Sequence, residues 1–319
     1  MQRSRDIGAA PEEVALVRNT SEGNSVITNG LDFQAGDEIV IWEQNHVTNN
    51  EAWDIQAQRF GLKIVRVSVP RVPDSDEQVV VLFANACSDR TKVLTFTEVS
   101  NASGLKLPAR KLAAMARERG IYCHVDGAQS WGAKALDVHD IGCDSLAASA
   151  HKWFMGLKEV GILYVRDGRA PQIWPNTIGY TGDIKVELQL QNALKFETLD
   201  QRDDAAVAAL GETADLHELI GPERIEARVV ELSSLLKEGL KDAGATLTTP
   251  EDPALSGGVV VVAVPKENQK TVADTMYATF GIAASTTGGL RLCPHVYNTR
   301  AHILRAVDGV ASMRDLIRV

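Results

Sequence analysis

The chain has 319 residues, 45% of them hydrophobic and 24% charged, with a net charge of −9. That length suits one large domain plus a smaller one, and it lies far above the size at which cores become marginal. The acidic balance argues against a general nucleic-acid or anionic-membrane binder. No stretch approaches a membrane span and no apolar targeting segment opens the chain, so a soluble, cytoplasmic protein is expected, with export after a lost N-terminal signal left open.

The first predicted element is a short strand in "EVALVRN" (Glu13–Asn19), followed by a turn into a helix over "TSEGNSVITNGLDF". "DEIVIWE" (Asp37–Glu43) reads as a strand, and a helical segment follows through Ala52–Gly61. The β-branched runs "LKIVRVSVP", "KVLTFTEVS", "IYCHVDGA", "DSLAASA" and "GILYVR" predict five more strands. Between them "PARKLAAMARERG" shows helical spacing closed by Gly120. Such alternation predicts an α/β fold with a mostly parallel sheet covered by helices on both faces.

Near residue 200 the texture changes. Two long helical patterns, "DAAVAALGETADLHELIG" and "ERIEARVVELSSLLKEGLKDAG", are separated by Gly221-Pro222. A strand-like "GGVVVVAVP", a helix "QKTVADTMYATFG", the segment "GGLRLCPHVYNT" and a final helix complete the chain. The expected organisation is a large α/β domain over residues 1–200, then connecting helices and a small α+β domain over 201–319. The four cysteines, Cys87, Cys123, Cys143 and Cys293, have neither CxxC nor zinc-ligand spacing and read as reduced thiols; Cys293 is expected to be buried in a strand.

The chemistry-bearing residues cluster at predicted strand ends. Lys152 follows "DSLAASA" in "SLAASAHKWFMGLKEVGILYVR", where lost hydration favours a neutral, nucleophilic amine, though a surface lysine with a buried stem has the same signature. Asp126 closes the strand in "HVDGAQS", where open parallel sheets place ligand sites and where helix N-caps also sit. An aspartate and a lysine at two such ends suit pyridoxal phosphate. The lysine forms its Schiff base, and the carboxylate keeps the pyridine nitrogen protonated. In "NTSEGNS", Thr20 and Ser21 open a helix and serve equally as N-caps or as a phosphate cradle. His46, in "EQNHVTNNEAW", follows a strand and is placed either to stack on a cofactor ring or to play a structural part.

Taken together, "TEVSNASGLKLP", "HVDGAQSWG", "GCDSLAASAHKWFMG" and "GILYVR" resemble the class V aminotransferase family of fold-type I pyridoxal-phosphate enzymes, in particular its isopenicillin-N-epimerase-like branch. The resemblance runs from about residue 10 to the C-terminus. It implies pyridoxal 5′-phosphate as cofactor, Lys152 as the Schiff-base lysine, and Asp126 as the pyridinium partner. Gln129 and Asn101 resemble the residues that bond the cofactor's phenolic oxygen, while Ser149 and His151, with Thr20 and Ser21, resemble phosphate contacts. His46 fits the ring-stacking position, in an H-x-x-N spacing completed by Asn49 on the substrate side. Arg291 resembles the arginine that clamps the substrate carboxylate, a task for which its planar fork is suited; a surface ion pair is the alternative.

Three departures accompany the resemblance. Desulfurases of the family carry a nucleophilic cysteine on a loop ahead of the substrate arginine, whereas "DTMYATFGIAAS" has none, which disfavours cysteine desulfuration. In "KFETLDQRDDAAVAAL", Asp200-Gln201 stands where many relatives have Gly-Thr, leaving Gln201 as the expected cross-subunit phosphate contact. Relatives also carry a further N-terminal segment ahead of "EVALVRN". The implied function is an aminotransferase-type enzyme acting on an amino acid or other amine-bearing metabolite. Epimerase or β/γ-lyase chemistry, or a non-catalytic binding role, are the alternatives. The family architecture implies a homodimer whose site is completed across the interface.

Overall fold

A computed structural model describes residues 6–179, 191–198 and 202–318. Seven strands form one sheet: β1 (Val14–Val17), β2 (Glu38–Trp42), β3 (Lys63–Val67), β4 (Thr91–Thr97), β5 (Tyr122–Asp126), β6 (Ser145–Ser149) and β7 (Gly161–Val165), in the order β1-β7-β6-β5-β4-β2-β3. The ladders joining β3, β2, β4, β5 and β6 are parallel. β7 runs antiparallel to both β6 and β1. The chemistry of the connections explains the difference. Helices α1 (Thr20–Gly30), α2 (Val47–Phe60), α3 (Asp76–Ala86), α4 (Ala109–Glu118) and α5 (Val138–Ile141) provide crossovers, whereas β6 and β7 are joined by the helix-free loop of residues 150–160.

The order places a switch point between β2 and β4, because the chain leaves β2 toward β3 and leaves β4 toward β5. Ligands of open α/β sheets sit at such points, outside the carboxyl ends of the strands. β1 is parallel to β6 through its two antiparallel steps, so the carboxyl ends of β1, β2, β4, β5 and β6 share one edge. That edge carries Thr20, His46, Asn101, Asp126 and Lys152 in turn.

Apolar side chains fill both faces of the sheet. One face packs Val40, Trp42, Phe96 and Leu146 beneath α3, α4 and α6 (Asp204–Ile220), and the other packs Ile39, Ile41, Ala147 and Leu163 beneath α1 and α2. A separate core holds α7 (Pro222–Asp242), the antiparallel pair β8 (Val260–Val262) and β9 (Leu290–Leu292), and the helices α8 (Gln269–Phe280), α9 (Arg300–Ala311) and α10 (Arg314–Ile317). Val99, Trp153, Val229 and Val261 form a smaller cluster that ties the two regions together beside the sheet edge.

Two local expectations change. α2 begins at Val47, not Ala52, because the polar run after His46 is held in place. Asn50 donates to the Trp42 carbonyl at 3.2 Å and accepts from Asn45 at 3.1 Å, and His46 caps the helix by accepting from the Thr48 amide. Cys293 is the second. β9 ends at Leu292, and the thiol that the apolar run implied to be strand-buried is exposed.

α1 lies unusually close to β6. A Cβ added to Gly23 would stand 2.7 Å from the Ala147 Cβ, so only glycine permits this approach. Gly23→Val is expected to lower stability by about 1–3 kcal/mol and to separate Thr20 from Ser149; urea denaturation of the variant checks the first effect.

Candidate active site

The corner between α1 and β6 is a hydroxyl pair. Ser149 Oγ accepts from the Thr20 amide at 2.7 Å and lies 2.6 Å from Thr20 Oγ1, with both residues buried. One hydroxyl hydrogen is spent between them, and the other remains for an anion at the α1 N-terminus. Ser21 is exposed, with its hydroxyl 3.4 Å from Thr48 Oγ1, which lies 2.8 Å from His46 Nδ1. His46 is half-buried. Burial, then the Lys152 cation, pushes its pKa down, so the flat ring is neutral.

Asp126 is 2% exposed. Its Oδ1 accepts from the Ala128 amide at 3.0 Å, the local cap that the sequence left open, and its Oδ2 accepts from Asn24 at 3.1 Å. Lys152 stands beyond the end of β6 with its pKa lowered, chiefly by burial and also by Arg291, against the opposing pull of Asp126 and Cys293. The bulky turn after it is packed inward: Trp153 and Phe154 are 4% and 1% exposed, and Met155 takes a left-handed φ of 59° to close the turn. Trp153 Nε1 donates to Gln129 Oε1 at 2.8 Å. An indole nitrogen can only donate, so the Gln129 amide oxygen is committed and its NH2 is left to donate elsewhere.

Arg291 comes from β9 and is half-buried, and its Nη1 donates to the Asn101 carbonyl at 3.1 Å. The structure thus engages Asn101 through its backbone, as the anchor of the guanidinium. A cleft of about 290 Å³ is lined by Gln129, His151, Lys152, Arg291, Cys293 and Tyr297. His151 is exposed, and partial burial with the Lys152 cation lowers its pKa. Water reaches the Cys293 thiol through the cleft mouth while protein encloses its other sides, and that enclosure pushes its pKa up to about 11.

Two expected residues stand apart. Asn49 is fully buried, and its side-chain nitrogen and oxygen have no hydrogen-bond partner. A side chain with no accessible surface does not meet a substrate, so the substrate contact expected of Asn49 does not hold in this geometry. Gln201 lies outside the described residues. The sequence reading also passed over Asn24, His124 and Thr48. His124 shares a strand face with Asp126 by its period of two, and Asn24 lies one helical turn after Thr20. Those spacings were the available signal.

Asp126 and Arg291 each act electrostatically on Lys152, and all three act on His46. Among the described residues, none of the three forms an ion pair. Charges that act on one another without collapsing into ion pairs leave room for a group carrying charges of both signs. The donor set fits pyridoxal phosphate: a carboxylate, a desolvated amine, a flat neutral imidazole and a hydroxyl corner at a helix N-terminus.

Comparison with known proteins agrees with this geometry. The family described as "Aminotransferase class-V" matches residues 4–310. The chain is 28% identical to an isopenicillin N epimerase of Streptomyces clavuligerus over 97% of this chain and 82% of that protein. It is 37% identical to a cysteine desulfurase of Salmonella dublin, over 54% of this chain and 43% of the other. An apo cysteine desulfurase structure from Thermococcus onnurineus NA1 superimposes with a TM-score of 0.85 at 24% identity, covering 97% of this chain and 81% of that one, which shows the shared fold.

Proposed function

Because the chain belongs to the class V aminotransferase family, we propose that it is a pyridoxal-phosphate enzyme acting on amino acids, with aminotransferase-type chemistry at the α-carbon. The observation that carries this reading is Lys152 and Arg291 lining one cleft, with the Asp126 carboxylate acting on Lys152 and neither cation held in an ion pair.

When bound, pyridoxal phosphate supplies an electron sink conjugated to the substrate's α-carbon. The protein's part is positional and acid–base. Thr20 and Ser149 would hold the phosphate, with Ser21 and His151 at the rim. Asp126 would hold a proton on the pyridine nitrogen, Gln129 would donate its free NH2 to the phenolic oxygen, and His46 would cover the ring. Arg291, steadied by the Asn101 carbonyl, receives the substrate carboxylate. Lys152 Nζ, whose pKa burial lowers, would take the α-proton and hand it on.

Transamination would leave the substrate as an oxo acid without its α-proton, whereas epimerisation would put a solvent-derived proton on the opposite face of the same carbon. Epimerisation is the second reading, supported by the epimerase relative, whose likeness spans nearly the whole chain. Nuclear magnetic resonance of amino acids incubated with the enzyme in D2O separates the outcomes. Loss of the α-proton with formation of oxo acid supports transamination, and deuterium at an inverted centre supports epimerisation. Amino acids left unlabelled by the loaded protein would overturn the reading.

Cysteine desulfuration needs an accessible thiolate, and a Cys293 thiol held near pKa 11 is the wrong kind of group. Cys293→Ala is expected to keep α-proton exchange within a factor of roughly 3, since a thiol held protonated takes no part in moving that proton. Sulfide release from L-cysteine that vanishes in this variant would contradict the expectation.

A homodimer completing the cleft forms part of the proposal. Val47 beside His46, Leu157 after the Lys152 turn, and Trp174 and Ile178 are each more than half exposed, at 56%, 52%, 57% and 78%. A light-scattering mass of one chain would contradict it. No helix among the described residues is long and apolar enough to cross a membrane.

A further inference from the structure

Behind Asp126 runs a buried file of polar side chains. Ser145 Oγ lies 2.7 Å from His124 Nδ1, His124 Nε2 lies 2.9 Å from Asn24 Oδ1, and Asn24 Nδ2 lies 3.1 Å from Asp126 Oδ2. Ser145 and His124 are 0% exposed, and Asn24 and Asp126 are 2% exposed. They come from β6, β5 and α1, so the file is built by tertiary packing and not by one local turn.

We propose that Asn24 and His124 are positioning residues for Asp126, forming a hydrogen-bond file of fixed polarity that sets the carboxylate's orientation and its hold on the proton of the pyridine nitrogen. This rests on the pyridoxal-phosphate reading given above.

The polarity follows from which atoms can donate. An ionised carboxylate only accepts, so Asn24 turns its NH2 to Asp126 and its oxygen to His124. That oxygen can only accept, so His124 carries its proton on Nε2. Nδ1 is then the acceptor, and the Ser145 hydroxyl donates to it. Each link has one permitted direction, and the imidazole must be neutral. Burial pushes the His124 pKa down to about 3, in keeping with that requirement. The other groups that face Asp126 electrostatically, Lys152 and His46, lie on the cleft side, so the file is the carboxylate's support from behind. With Oδ1 fixed by the Ala128 amide, both oxygens are tied and the carboxylate plane cannot turn. A carboxylate held this way presents one orientation to a bound ring.

The test uses the full chain loaded with pyridoxal phosphate labelled with 15N at the ring, and reads the ring-nitrogen chemical shift and the cofactor dissociation constant. Asn24→Leu keeps volume but removes the donor. It should weaken cofactor binding roughly tenfold to a hundredfold, the range for a lost hydrogen bond to a charged group, and move the nitrogen resonance toward the unprotonated value. His124→Phe should move both in the same direction by less. His124→Gln, which keeps a side-chain N–H for Asn24, should return them toward the parent. A folded Asn24→Leu protein with the parent's shift and affinity overturns the inference. If Asn24→Leu does not fold, the His124 pair decides: equal effects of Phe and Gln on the resonance overturn it. A parent chain that binds no pyridoxal phosphate overturns the functional reading itself, and this inference with it.

Discussion

Lys152→Ala yields a folded protein that holds pyridoxal phosphate without a covalent link and exchanges α-protons at least ~10⁴-fold more slowly than the parent. The size of the loss combines two tasks of one side chain, nucleophilic attachment and general base, each of which contributes orders of magnitude. No neighbour is placed to replace it: His46 and His151 are lowered in pKa but lie to either side, and the Cys293 thiol is held protonated. A sign test separates this from simple damage to the fold. The folded-state pKa of Lys152 lies below its ordinary 10.5, so the folded chain binds fewer protons than the unfolded chain across the interval between the two values. Its contribution to the stability of the cofactor-free protein therefore improves as pH rises through the folded pKa toward 10.5. Lys152→Met should accordingly be more stable than the parent near neutral pH without cofactor, with the gap narrowing as pH climbs. Thermal melts of the two proteins across that range read it directly, and a Lys152→Met protein less stable than the parent at neutral pH would contradict the desolvation account.

The second large effect falls on Arg291. Arg291→Ala should lower kcat/KM for amino acids about 10²-fold, the consequence of losing charge-assisted hydrogen bonds to a carboxylate. Arg291→Lys should recover little of this. A single ammonium offers no planar fork and cannot keep both the Asn101 carbonyl and a substrate carboxylate in register. The corresponding amines, which lack the carboxylate, should be handled equally by parent and variant. Comparing kcat/KM for an amino acid and its decarboxylated analogue in the three proteins checks the assignment, and a similar loss on both substrates would move Arg291 from substrate recognition to architecture.

The sheet was legible in the chain because its strands are buried on both faces and so read as unbroken β-branched runs, with the helices between them as crossovers. Lys152 and Asp126 were legible only as a pair: each alone reads as well as a surface lysine or a helix cap, but two charged residues at two such strand ends, within the motifs around them, point to one site. Legibility failed where side chains meet across elements. Asn49 looked exposed in a polar run, yet the capping by His46 and the Asn45–Asn50 bond wind that run into α2 and bury it. Cys293 looked buried because the apolar texture continues past the end of β9. His124 and Asn24 carry no sequence mark of their partnership, since a file from β6 through β5 to α1 exists only once α1 packs over Gly23. The commitment of the Gln129 oxygen to Trp153 likewise depends on a tertiary contact.

The most direct test of the central claim is borohydride reduction of the protein loaded with pyridoxal phosphate, followed by digestion and mass spectrometry. The account predicts one phosphopyridoxyl group per chain, on the peptide that contains Lys152. A modification placed on another lysine, or none at all after loading, would contradict it.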